Sequence, residues 1–179
     1  MSLTTDCTNL PDHVIQACNN YRKGGVSAIA IIDAGTSIPD PTSDTDWTTA
    51  ITAGHVKVIK NIKATFPKAS VVEGENVVAC GAEKMLDGFN GSITWKDFNV
   101  NATNDDFYAQ LNLKTAYIAI FYCNENEIRI FDQLCNFAVP WATAPEGTKD
   151  KQVYDATAMW FAPVGWFPSL YTAPAGIFS

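Results

Sequence analysis

The sequence predicts a mostly β, α+β domain: an antiparallel β-sandwich or barrel with two or three short helices and extended terminal arms. Three observations carry this. The apolar runs are short, and several alternate with polar residues at a period of two. Clusters of Gly, Pro, Asn and Asp separate them. Helical spacing occurs only in brief stretches, two of which stop at a glycine, Gly24 and Gly54. At 179 residues the chain is long enough for a sizeable core. We therefore read 1–179 as a single domain, with 1–10 as an N-terminal arm and 163–179 as an apolar C-terminal arm.

"PDHVIQACNNYRKGG" reads as a short helix, with Pro11 at its first position, Val14, Cys18 and Tyr21 on one face, and Gly24 as its stop. "VSAIAIID" is apolar at every position of its centre, the pattern of a strand buried on both sides. "AGTSIPDPTSD" follows as a loop. A second short helix comes next, capped by Ser43 or Asp44, with Trp47 and Ile51 on one face and Gly54 at its end. "HVKVIKNIKATF" begins as a strand, yet Lys57, Lys60 and Lys63 recur at every third residue and do not resolve into one element.

"ASVVEGENVVACGAEKMLDGF" reads as a hairpin. Asn90-Gly91 is a turn signal, after which Ile93 and Trp95 alternate with polar neighbours, and Phe98 and Val100 resume one residue out of step. Thr103 or Asn104 is the expected cap of a further helix, with Asp105 and Asp106 in its first turn. "TAYIAIFYC" and "EIRIF" form the clearest hairpin, joined by "NEN", and "QVYDATAMWF" is a later strand beyond a polar loop.

Charge narrows the function classes. The net charge of −7 argues against nucleic-acid binding through phosphate neutralisation. No apolar stretch approaches the length of a membrane span, and no secretory leader is visible, so no membrane partner is expected. Charged residues make up only 17% of the chain, below the roughly 25% of an average soluble domain. Between Asp97 and Asp155, nine acidic residues face four basic ones, whereas Ala156 to Ser179 holds no charged side chain. An uncharged aromatic run of that kind must lie against protein. Trp160, Trp166, Phe167, Leu170, Tyr171 and Phe178 are therefore the candidate subunit-interface residues.

Motifs for chemistry are sparse. The five cysteines, Cys7, Cys18, Cys80, Cys123 and Cys135, are odd in number and lack CxxC spacing, which is a poor disulfide framework and a poor zinc site. Cys7 and Cys18 could pair in an oxidising compartment. A Cys–His pair could be drawn from Cys80 or Cys135 with His55, but no local motif accompanies it. Asp105-Asp106 and the Asp44/Asp46 pair read as helix starts rather than as a glycosidase pair or a calcium loop. No catalytic residue, metal or cofactor is expected. Lys57, Lys60, Lys63 and Lys68 form an acid-free basic segment, either a docking strip for an acidic neighbour or a solvated face.

The order of these pieces resembles structural proteins of tailed bacteriophages, tail-tube-like proteins in particular. The stretches that carry the resemblance are "DWTTAITAGHVKVIKNI", "GFNGSITWKDFNVNATNDDFYAQL", "AYIAIFYCNENEIRIF" and "YTAPAGIF". The resemblance implies a β-sandwich or barrel flanked by a helix, and a virion subunit assembled in the host cytoplasm. It further implies copies that form stacked rings, commonly hexameric, alongside other virion proteins. DNA would pass through the ring without specific binding. An acidic channel would repel the phosphate backbone, and Asp105, Asp106, Glu125 and Glu127 are the candidate channel-facing residues. Alternative readings are a head decoration, connector or fibre subunit, a small hydrolase, or a ligand-binding β domain using Trp47, Trp95, Trp141 and Trp166 as stacking platforms.

Overall fold

The structure, a computed structural model, describes residues 25–78, 81–122, 126–143 and 152–178. The 1–10 arm, the helix expected over 11–24, Glu125 and four of the five cysteines (all but Cys135) lie outside the described residues. Among those described, nine strands form one antiparallel sheet with two short helices, the mostly β architecture that the alternation predicts.

β1 (Val26–Asp33) is central because it is apolar on both faces. Ile29 and Ile31 join one core, and Ala28, Ala30 and Ile32 join another on the opposite side. It is flanked by β2 (Val56–Lys60) and β6 (Thr115–Tyr122). Between β1 and β2 lies α1 (Asp44–Thr52), whose N-cap Ser43 accepts a hydrogen bond from the Asp46 amide at 3.3 Å. Gly54, at φ +83°, takes the left-handed conformation that ends it. Trp47 buries completely beneath this helix and donates its indole N–H to the Pro41 carbonyl at 2.9 Å.

The every-third-residue lysines have a simple origin. Asn61, at φ +58°, breaks the run into β2 and β3 (Lys63–Thr65), which pair with different strands. One period was never going to describe two elements. The strand order is β2-β1-β6-β7-β8-β5-β3, so β2 and β3 stand at opposite ends of the sheet although only residues 61 and 62 separate them. So short a link forces the sheet to curl until its two ends meet, and β3 does contact β1. The sheet is nevertheless not closed by hydrogen bonds, which corrects the barrel alternative to an open curl.

β4 (Ser70–Val78) and β5 (Gly81–Asp97) form the expected hairpin. Asn90-Gly91 is not a turn, because β5 runs straight through it, pairing Asn90 with Phe161 and Gly91 with Trp160 of β8 (Tyr154–Pro163). Gly91 is needed there for another reason: a Cβ would lie 2.6 Å from Cε2 and Nε1 of the Trp160 ring. The glycine is a seat for a tryptophan. α2 (Ala102–Leu111) is capped by Asn101, not by Thr103 or Asn104; its side chain accepts from the Asn104 amide at 3.0 Å. The last turn is pinned by Asn112, whose amide donates to the Val139 carbonyl and accepts from the Val139 N–H, both at 2.7 Å.

β7 (Glu127–Ala138) pairs with β6 as expected but continues past the predicted "EIRIF" to meet β8. β9 (Ser169–Thr172) pairs with the start of β7. One core lies on the inner side of the curl and includes Ile93, Trp95, Tyr108, Ile118, Phe131 and Trp160. The second lies between the outer side of β1, β6 and β7, and a cover made of α1 and the chain's C-terminal segment.

Candidate functional site

The densest polar cluster sits where β5, α2 and β8 converge. Along β5 the inward positions are Ile93, Trp95 and Asp97, and the last puts a carboxyl group where only 3% of its surface is exposed. Burial of such a group requires donors. Asp97 has three: the Tyr108 hydroxyl at 2.8 Å, the Asn99 amide N–H at 2.9 Å and the Asn99 side chain at 2.8 Å. The Trp95 indole N–H lies 3.4 Å from the Tyr108 oxygen. Tyr154 packs its ring 4.5 Å from that of Tyr108 and donates its hydroxyl to Asp105 at 2.7 Å. These contacts tie the start of α2 to two strands. The signal in the sequence was an acid in phase with Ile93 and Trp95.

Burial raises the pKa of Tyr108, with Asp97 adding to the effect, and burial together with Asp105 pushes Tyr154 up to about 12. A phenol whose folded pKa lies above its ordinary value of 10.0 contributes stability that is complete below that pH. That contribution is lost as pH rises from 10.0 toward about 12. The expected result is cooperative alkaline unfolding in that window, with tyrosinate absorbance appearing together with loss of near-UV circular dichroism. Tyr154→Phe should make stability fall less steeply with pH there, and an unchanged slope would refute the assignment.

Beside this network opens a cleft of about 430 Å³ lined by Lys57, Ile59, Asn99, Asn104, Phe107 and Tyr108, among others. Asp97 also lines this cleft, and its three hydrogen bonds to Tyr108 and Asn99 hold the carboxyl as a strut between β5 and α2. A second cleft of about 300 Å³ is walled by Ile38, Tyr117, Phe131, Asp132 and Tyr171. Cys135 is fully buried, and burial pushes its thiol up to about 12, keeping it protonated where a nucleophile must ionise. His55 sits instead with Nδ1 3.7 Å from Asp33. Asp46 accepts from the Asp40 amide at 2.9 Å and so serves the local backbone, whereas Asp44 accepts from the distant Gly176 amide at 3.3 Å. Among the described residues, no group of three or more His, Cys, Asp or Glu is placed to hold a metal.

The candidate interface residues divide. Trp160 and Phe178 are buried in the chain's own cores, and Trp166 packs partly buried on Phe131 while donating its indole N–H to Asp132. Tyr171 is half-buried on β9, and only Leu170 and Phe167 present large apolar surface to solvent. The tail thus folds back onto its own chain, which satisfies the need for an uncharged run to lie on protein. Of the candidate channel acids, Asp106 is exposed, Asp105 holds the Tyr154 hydroxyl, and Glu127 opens β7 half-buried. Of the predicted basic strip, Lys57, Lys63 and Lys68 are exposed and Lys60 is half-buried at the end of β2. Of the four candidate stacking tryptophans, Trp47 and Trp95 are core and Trp141 is exposed.

Sequence reasoning missed the outer face of the β5–β8–β7 half-sheet. β8 alternates buried and exposed along its length, and its outward residues Thr157, Met159 and Phe161 stand in register with Thr94, Ser92 and Asn90 of β5. On the other side Met159 pairs with Asn136 and Thr157 with Ala138, and Leu134 lies on the same face. Leu134, Met159 and Phe161 are 46%, 42% and 41% exposed, and the charged residues of this face lie at its margins, Asp132 beyond Leu134 and the in-register Lys96 and Asp155 beyond Thr94 and Thr157. Neither helix covers this patch: α1 belongs to the core behind β1 and α2 to the inner one. Compared with known proteins, the chain matches no family model, no curated protein and no solved structure.

Proposed function

We propose that this chain is a non-enzymatic, self-assembling virion subunit, best read as a tail-tube protein of a tailed bacteriophage. Its copies would form rings, hexameric in the simplest case, stacked around a channel that conducts DNA. The observation that carries the reading is the apolar patch on the outer face of β8 and β7, where Leu134, Met159 and Phe161 are half-exposed with charge only at the margins. An exposed apolar patch of this kind, rimmed by polar and charged residues, marks contact with protein. β4 pairs only with β5 among the described residues, and a sheet edge of that kind suits pairing with a neighbouring copy. Exposed Asp106 and the overall negative charge suit a wall past which phosphates slide without adhering.

The test is electron microscopy of the purified protein in negative stain across a concentration series, with light scattering alongside. Rings or tubes with a central channel are expected. Met159→Asp with Phe161→Asp should abolish them without unfolding the chain, since both side chains face outward. A monomer at every concentration, or particles indifferent to the double substitution, would count against the reading.

A further inference from the structure

The last ten described residues, 169–178, form a unit with its own anchor and its own connection. Among the described residues β9 pairs with β7 alone, through Ser169 to Thr172, and the Ala173 amide donates to the Asn126 carbonyl at 2.7 Å. The Gly176 amide reaches Asp44 on α1. Phe178 ends the segment, only 4% exposed, with its ring stacked on Phe121 at 5.1 Å and set edge-on to Trp47 at 5.2 Å. A short strand followed by an aromatic plug is the pattern of a donated strand, in which main-chain pairing gives affinity and one pocket gives register.

What precedes the unit is a boundary between docked and undocked chain. Trp166 is held to the body by Phe131 and Asp132. The next residue, Phe167, is 82% exposed, and Pro168 then leads into β9. Release at Phe167–Pro168 would free residues 169–178 while leaving Trp166 and β8 in place. No charged side chain lies in the segment, so no ion pair of its own side chains ties it to one particular copy.

We infer that residues 169–178 are an exchangeable strand, which in the assembly docks on β7, Phe121 and Trp47 of a second copy of this chain. Every contact made within one chain is available in the same geometry between two, so exchange changes only the path at Phe167–Pro168. The inference rests on the self-assembly reading above and names the segment that joins the copies. It also gives the exposed Phe167 a setting, as the link that would cross between them.

The experiment mixes two full-length preparations, one labelled with a donor fluorophore at exposed Thr48 on α1 and the other with an acceptor at the C-terminus. Energy transfer between chains should grow with time and with concentration. A second arm adds a labelled synthetic peptide of residues 168–179 to full-length protein. Phe178→Ala protein, whose own tail lacks its plug, should take up the peptide about 100-fold more strongly than the unaltered chain, since loss of a buried Phe weakens docking by at least that factor. A peptide carrying the same Phe178→Ala change should not compete. Particles are scored by microscopy in the same samples. Rings without energy transfer between chains would overturn the exchange and leave the assembly reading intact. Transfer without rings or tubes would support the exchange and count against the tube. Absence of both transfer and peptide uptake would overturn the exchange outright.

Discussion

Trp47→Ala should destabilise the chain by about 3–5 kcal/mol, the range for truncating a fully buried aromatic. Trp47 is the centre of the second core and the only indole placed between α1 and the outer side of the sheet. Its removal opens a cavity, strands the Pro41 carbonyl that accepts its N–H, and takes away one wall of the Phe178 pocket. The last point has a measurable signature. Because the two rings touch, Trp47→Ala and Phe178→Ala should be less than additive when combined, by about 0.5–1.5 kcal/mol for an aromatic pair. Urea denaturation of the two single variants and the double variant measures it. Strict additivity would mean that the tail does not dock on α1 as the structure has it.

Gly91→Val should cost about 3 kcal/mol, at the upper end of what overpacking a core position causes. The obstacle is the Trp160 ring rather than a flexible side chain. That ring cannot swing away, because it also stands edge-on to Phe131 at 4.8 Å in the inner core. Gly74→Ala is the matched control. It lies in β4 across the hairpin, where an added methyl would meet the Asp87 side chain at an ordinary 3.6 Å, and its effect should be within about 0.5 kcal/mol. Equal effects at the two glycines, read as shifts in urea midpoint, would show that Gly91 is present for backbone reasons and not to seat Trp160.

The same glycine shows where sequence reading stops. Asn90-Gly91 carries the local signature of a turn, and nothing within ten residues contradicts it. The deciding partner, Trp160, is 69 positions away in the chain. β1 and α1 were legible because their signals are local: an unbroken apolar run in one, a cap, a buried Trp and a terminal glycine in the other. The β6–β7 hairpin was legible for the same reason. The lysine spacing stayed unresolved because a single residue in left-handed conformation divided the run. Asn101 was passed over as a cap in favour of the next polar residues, although its side chain is the one that reaches the first-turn amides. At the candidate site the alternation already held the key, since Asp97 falls in phase with Ile93 and Trp95, but an acid near a helix start invites a surface reading. The uncovered sheet face could not be read at all, because exposure depends on which face the helices choose to cover.

The curl of the sheet has a mechanical side. Its two ends are joined by the covalent chain at Asn61 and Ile62 but by no ladder of hydrogen bonds, while every other neighbouring pair in the strand order is joined by a ladder, the shorter ones at β7–β8 and β3–β5. Strands in a ladder resist shear as a group, since displacing one strains several bonds at once. A seam crossed by two residues resists very little. Ile62 is tucked into the inner core and holds its place, so the give falls on the backbone rotation at Asn61. The protein is therefore stiff along its strands and compliant around its girth, able to tighten or relax its curvature without breaking any strand pairing.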